Sequence, residues 1–235
     1  MIKEAVRWLI PARVELHIRR LPSLKMLSIL DRELGHRRSR GSRATVNKDG
    51  DPIPWYTYPA IEYLEQIDFS NKTVFEWGAG NSSLYWARVA KGVVSVDDNP
   101  EWFQRLETSR PGNQTVHLVQ GRQEYVGFIA KANRKYDVIV IDGSFRYDCS
   151  LIAPKYLASG GLIILDNSDW WPKSAGALRT ADLLQVDMSG FGPINRVTWT
   201  TSLFFDRTFR MSSKGQRQPR HGIGASLAIL DDGCD

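Results

Sequence analysis

At 235 residues, 42% hydrophobic and 24% charged, the chain has material for one globular domain with appendages. No apolar run approaches the ~18 residues of a membrane span, the first residues lack the order of a secretory signal, and Cys149 and Cys234, with no Cys-x-x-Cys, indicate neither a disulfide framework nor a zinc site. Cytoplasmic residence is therefore the expectation, and the net charge of +5 is carried by an appendage, since residues 1–46 hold eleven Lys or Arg against four Asp or Glu.

In chain order, apolar positions from Val6 to Leu34, interrupted by Pro11 and Pro22, predict two or three short amphipathic helices. Their basic surplus suits contact with an anionic surface, which would make the protein membrane-peripheral, or simply a solvated face. His36–Arg43 is polar and basic, and residues 47–54 hold Asp-Gly and two prolines, so this stretch reads as a linker. The division that follows is a basic helical extension over 1–46, a folded domain over 47–206 and a basic, Ser/Gln/Gly-rich tail over 207–235, expected to be mobile. The apolar run Ala225–Leu230 within it could dock as a short strand.

Trp55, Tyr56 and Tyr58 precede a helix opened by Pro59, with Ile61, Leu64 and Ile67 at helical spacing. Then comes Thr73–Ser83, where a β-favouring run meets Glu76, Gly78 and Gly80, followed by Asn81, Ser82 and a helix-compatible run to Lys91. Strand, tight turn and helix are the natural reading, with glycines where φ turns positive or a ligand nears the backbone. An acid two residues before Gly-x-Gly would repel phosphates and suits a positively charged ligand. A second strand, Val93–Val96, ends at Asp97 and Asp98, and Asp97 stands about 20 residues beyond the loop, where doubly wound folds hold a ribose.

A helix over Glu101–Glu107 and a strand over Val116–Val119 lead to Gly121, Arg122 and Gln123. Tyr136–Ile141 is apolar at every position but Asp137, as expected of a strand buried on both faces, and stops at Asp142-Gly143. A helix from about Tyr147 to Leu157 precedes Gly160-Gly161 and a second such strand, Leu162–Leu165, which stops at Asp166-Asn167. Two buried strands thus deliver carboxylates to the ligand edge of an open sheet. Trp170, Trp171 and Pro172 could line an acceptor pocket; a helix Ser174–Ala181 and strands Leu183–Met188 and Val197–Phe205 close the domain around a turn at Gly190–Pro193.

Glu76-x-Gly78-x-Gly80, Asp97, Asp142 and Asp166-Asn167, in this order of elements, resemble the class I S-adenosylmethionine (SAM)-dependent methyltransferases over about residues 59–206. The resemblance implies an α/β, Rossmann-like, doubly wound seven-stranded sheet behind the helical extension. It implies SAM at Glu76, Gly78, Gly80, Asn81, Ser82, Asp97, Asp98 and Asp142, with Arg122 or Gln123 near the adenine. Asp142, Asp166 and Asn167 further resemble the metal triad of catechol and caffeoyl-coenzyme A O-methyltransferases, which implies Mg²⁺, a catalytic Asp142 and a small hydroxylated acceptor such as a sugar or catechol. Asp142-Gly143-x-x-x-Tyr147 is similar to Asp-Gly-x-His-x-Tyr of sugar and macrolide O-methyltransferases. The base of those families stands where this chain has Phe145, which leaves the metal, Asp169 or a residue of the extension to activate the nucleophile, and Arg146 to bind an anionic substrate or be solvated. Asp142-Gly143-Ser144-Phe145 departs from the Asn/Asp-Pro-Pro-Phe/Tyr of base-methylating enzymes, so a nucleic-acid substrate is disfavoured. The alternative from another class is a non-catalytic protein of the same fold that works through its basic extension.

Overall fold

The computed structural model describes residues 22–210, 212–215 and 219–225. The helices expected before residue 22 and most of the Ala225–Leu230 run lie outside the described residues.

Helix α1 (Pro22–Ser28) runs into a π-helical turn, Ile29–Glu33, and is followed by α2 (His36–Ser42), α3 (Tyr58–Leu64), β1 (Thr73–Trp77), α4 (Asn81–Val89), β2 (Gly92–Asp97) and α5 (Pro100–Glu107). Next come β3 (Gln114–Leu118), α6 (Arg122–Gly127), β4 (Tyr136–Ile141), α7 (Arg146–Ile152), β5 (Leu157–Leu165), α8 (Pro172–Arg179), β6 (Leu184–Gly190) and β7 (Trp199–Phe205). The seven strands form one sheet in the order β3-β2-β1-β4-β5-β7-β6. All neighbours are parallel except β7, which runs antiparallel to both β5 and β6. The Rossmann-like doubly wound sheet is thereby present, and Thr73–Trp77 and Tyr136–Ile141 are adjacent parallel strands, with Phe75 opposite Ile139.

The sheet is covered on both faces because its central strands are apolar at consecutive positions. Val138, Val140, Leu162 and Ile164 pack with Tyr56, Leu64 and Trp86 on one side. Ile139, Ile141, Ile163 and Leu165 pack with Trp77, Tyr125 and Leu178 on the other. Alternation of Cβ directions sends neighbours in one strand into opposite layers, so a run without polar residues is what a doubly covered strand requires.

Two elements differ from the sequence reading. His36–Ser42 is a helix rather than a linker, because tertiary contacts outweigh its polarity: His36 and Ser39 are buried, His36 Nδ1 lies 3.1 Å from the Gly192 carbonyl, and Ser39 Oγ donates to the Val46 carbonyl at 2.7 Å. The helix expected over 147–157 stops at Ile152, where Pro154 enters a 3₁₀ turn (Ala153–Tyr156), and β5 then starts at Leu157, five residues early. Gly160 and Gly161 lie within β5 because a side chain has no room there. A Cβ on Gly161 would stand 2.8 Å from the Asp137 carbonyl oxygen.

Candidate active site

Sheet order reverses direction between β1 and β4, and in open α/β sheets the crevice outside the strand ends at such a point is where ligands bind. A cleft of about 570 Å³ lies there, a size suited to a cofactor-sized ligand. Gly78, Ala79, Gly80, Asn81 and Ser82 of the β1–α4 turn, Asp97 and Asp98 of β2's end, Asp142 after β4 and Asp166 and Asn167 after β5 all line it. The sequence-predicted residues that do not are Glu76, buried behind the turn, and Arg122 and Gln123. Arg122 instead pairs with Asp148 at 2.6 Å on the surface. Trp102 and Asn99 line the cleft beside Asp97. Asn99 caps α5 by accepting from the Glu101 amide at 2.8 Å.

The two glycines of the turn do different work. Gly78 has φ +96, and a Cβ there would meet the Gly143 nitrogen at 2.5 Å, so it lets the β1 and β4 turns touch. Gly80 is extended at φ −174, and a Cβ there would meet only Ser82 Oγ at 4.0 Å; its bareness opens cleft floor. Behind the turn, Glu76 Oε2 accepts from Ser83 Oγ and, at 3.0 Å, from Ser95 Oγ, while Oε1 is buried with no partner. Burial pushes this carboxyl up to about 7, against the pull of the neighbouring serine hydroxyls. Asp97 is raised for the same reason, against the Asn99 and Ala79 amides that favour its charge.

Asp142 is raised to about 6 by burial, against the attraction of Arg146. That guanidinium spends all five of its N–H donors on the ends of β4 and β5. Nε donates to the Gly143 carbonyl at 3.1 Å, Nη1 to the Asp166 carbonyl and to Asn167 Oδ1 at 3.1 Å, and Nη2 to the Asp142 carbonyl at 2.9 Å and to its Oδ1 at 2.8 Å. Trp171 supports it from the side, with its ring 5.7 Å from the guanidinium carbon. Arg146 is therefore neither solvated nor available to an anionic substrate.

This geometry does not fit the expected Mg²⁺. Asn167 Oδ1 and Asp142 Oδ1 each already accept a hydrogen bond from the Arg146 guanidinium, and one oxygen of the Asp166 carboxylate is turned into the core, accepting from Thr201 Oγ1 at 2.6 Å and Trp199 Nε1 at 3.0 Å. Burial and the nearby Asp142 hold Asp166 well above the ordinary carboxylate range. Among the described residues no group of three or more His, Cys, Asp or Glu side chains is arranged to hold a metal.

Phe145 has φ +53 and packs its ring edge-on to Tyr125 at 5.7 Å, with Arg122 above it at 5.9 Å. A base at that position would point along this surface and not into the cleft. Asp169 accepts from the Thr200 amide at 3.0 Å, which ties it to β7. Asp142 Oδ2, by contrast, has no hydrogen-bond partner among the described residues, on a side chain that lines the cleft.

The rest of the lining combines Trp170, which the sequence offered as an acceptor wall, and Trp55 with segments no motif announced: Arg43, Ala44 and Thr45 after α2, and Ile194 and Asn195 between β6 and β7. Trp55 and Trp170 leave 40% and 57% of their surface exposed, and the Asn81 amide donates to the Thr45 carbonyl at 3.0 Å, joining the wall to the turn. Arg43, Asn167 and Ile194 are three of the six non-glycine residues with positive φ among the described residues; for β-branched Ile194 this is a genuine outlier, at the cleft wall.

No protein-family model matches the sequence, and no curated protein matches it significantly. Among solved structures, the chain is similar to precorrin-6y C5,15-methyltransferase from Geobacter metallireducens GS-15, at 12% identity and TM-score 0.51 over 63% of this chain and 87% of that one. The chain has the class I methyltransferase fold. Fibrillarin from Methanococcus jannaschii, at 15% identity over 62% of this chain and 73% of its own, and spermidine synthase from Thermotoga maritima, at 11% over 66% and 57%, both give TM-scores of 0.49. Within the methyltransferase fold, the strand-end acids and the glycine turn occupy the crevice at the switch point, and the outer wall comes from the segment preceding the sheet and from the β6–β7 connection.

Proposed function

We propose that the protein is a SAM-dependent methyltransferase acting on a small hydroxylated acceptor, with Asp142 as general base and without a metal. The observation that carries this reading is the charge of the cofactor side of the cleft: Asp97, Asp98 and Asp142 line it, Glu76 lies buried behind it with a partnerless oxygen, and of the two lining arginines Arg146 is fully engaged by the strand ends while Arg43 follows α2 on the outer wall. Such a site attracts a ligand bearing ammonium and sulfonium charges and repels a pyrophosphate.

In this reading Gly78, Ala79 and Gly80 bring backbone close to the ligand, Asn81 and Ser82 offer polar groups at the start of α4, Asp97 accepts from ribose hydroxyls, and Trp102 offers an aromatic face to the adenine. SAM supplies an electrophilic methyl group when bound. The chain's own part in the reaction is orientation and proton removal. Trp55 and Trp170 give the acceptor flat apolar faces, Asn195 gives it an amide, and Asp142 Oδ2 takes the hydroxyl proton while Oδ1 stays fixed on Arg146. A carboxylate held near 6 is ionised at neutral pH yet more basic than an exposed one, which suits that task.

Calorimetry with SAM tests the cofactor half: binding to the intact chain and at least tenfold weakening, about 1.4 kcal/mol, in Asp97→Ala is expected. Absence of binding to the folded protein would favour a non-catalytic role for the fold. Release of S-adenosylhomocysteine across sugars and catechols tests the acceptor half.

A further inference from the structure

We infer that Arg146 is a built-in replacement for the divalent cation its surroundings would otherwise recruit, and that it excludes such ions from the cleft. The donor set has the chemistry of a hard-cation site: an aspartate oxygen, an asparagine amide oxygen and three main-chain carbonyls, from Asp142, Gly143 and Asp166, all face one guanidinium, each within 2.5 to 3.1 Å of one of its nitrogens. What they face is a planar cation rather than an open space. Its five donors each meet one of the five oxygens, so the guanidinium occupies the space an ion would need to reach them, and its own positive charge opposes a second one at contact distance.

Exchange is also blocked mechanically. Arg146 opens α7 one helical turn after the Asp142-Gly143 corner, and its side chain is wedged beneath Trp171. Swinging it out would break hydrogen bonds to four residues at the ends of two parallel strands at once. The same bonds fix the rotamer of Asp142, since Oδ1 is pinned by Nη2 at 2.8 Å and the other oxygen is left for the cleft. Arg146 is thus a positioning residue, acting on the reaction through Asp142, while the charge usually brought by a bound ion is carried by the chain.

The test is Mn²⁺ binding to the full-length protein, followed by the loss of the free-ion electron paramagnetic resonance signal. It needs no turnover, so it can fail separately from the methyltransferase reading on which the catalytic meaning of Asp142 rests. The wild-type protein is expected to leave millimolar Mn²⁺ free, while Arg146→Ala, which empties the oxygen cluster, binds one ion per chain at least tenfold more tightly. Arg146→Gln, longer and neutral, is the second variant should alanine prevent folding. Stoichiometric Mn²⁺ binding by wild type that disappears in Asp142→Asn would overturn the inference. So would folded Arg146 variants that bind no more ion than wild type.

Discussion

Replacing Glu76 by glutamine isolates the buried carboxyl behind the glycine turn. The wild-type carboxyl is fully buried, receives two serine hydroxyls on one oxygen and nothing on the other, and is pushed from an ordinary 4.5 up to about 7. Between these values the native state keeps a proton that the unfolded chain releases, so the native state binds more protons and its stability falls as pH rises. Holding the proton over that range amounts to about 3 kcal/mol, present in full at pH 4.5 and gone above pH 7. Glu76→Gln removes the titration while conserving shape, so the stability difference between variant and wild type should move by about 3 kcal/mol in the variant's favour from pH 4.5 to pH 8. Urea unfolding of both ligand-free proteins at four pH values reads this directly, and constant effects of the amide cancel in the comparison. SAM should be bound more tightly by wild type as pH rises through 7, and the glutamine variant should lose that dependence. Parallel stability curves for the two proteins would refute the argument that Glu76 titrates in the folded state near neutrality.

For Asp142→Asn we expect a loss of about 10²-fold or more in turnover at saturating SAM, together with weaker SAM binding because one of the cleft-lining carboxylates is neutralised; the wild-type rate should rise with pH through about 6 and the residual rate of the variant should not. Gly78→Ala should lower stability by roughly 3 kcal/mol, because φ +96 and a 2.5 Å approach to the Gly143 nitrogen both oppose a Cβ, whereas Gly80→Ala should melt like wild type and bind SAM at least about tenfold more weakly. Thr201→Val removes a 2.6 Å donor from the buried Asp166 carboxylate and should cost about 1–3 kcal/mol in chemical unfolding.

The parts of the molecule legible in the sequence are those where chemistry repeats along the chain. Uninterrupted runs such as Val138–Ile141 and Leu162–Leu165 announce strands covered on both faces, and the acids that end them announce the ligand edge. What sequence order conceals is partnership across it. Arg146 follows Asp142 by four positions, yet its meaning depends on Asn167, twenty-one residues on, and nothing local distinguishes a guanidinium that sits in an oxygen cluster from one in water. Asp166 next to Asn167 suggests paired ligands, but β7, running antiparallel beside β5, brings Thr201 to draw one of them inward. The polarity of His36–Arg43 says linker because the buried face of α2 rests on His36 and Ser39 alone, two polar residues satisfied by Gly192 and Val46.

That last contact has a consequence for how such a protein changes over time. Through His36 and Gly192, 156 positions apart, the segment before the sheet grips the β6–β7 connection, and together they furnish Arg43, Thr45, Trp55, Ile194 and Asn195 to the outer wall. None of these belongs to a strand end, and none supports the glycine turn except through the Asn81–Thr45 bond. Variation in this pair of appended segments can therefore remodel what the cleft admits while the strand-end acids stay as they are. The sheet behaves as a fixed instrument and these two segments as interchangeable fittings, so divergence in what the cleft admits should be recorded first in the residues that precede β1 and in the β6–β7 connection.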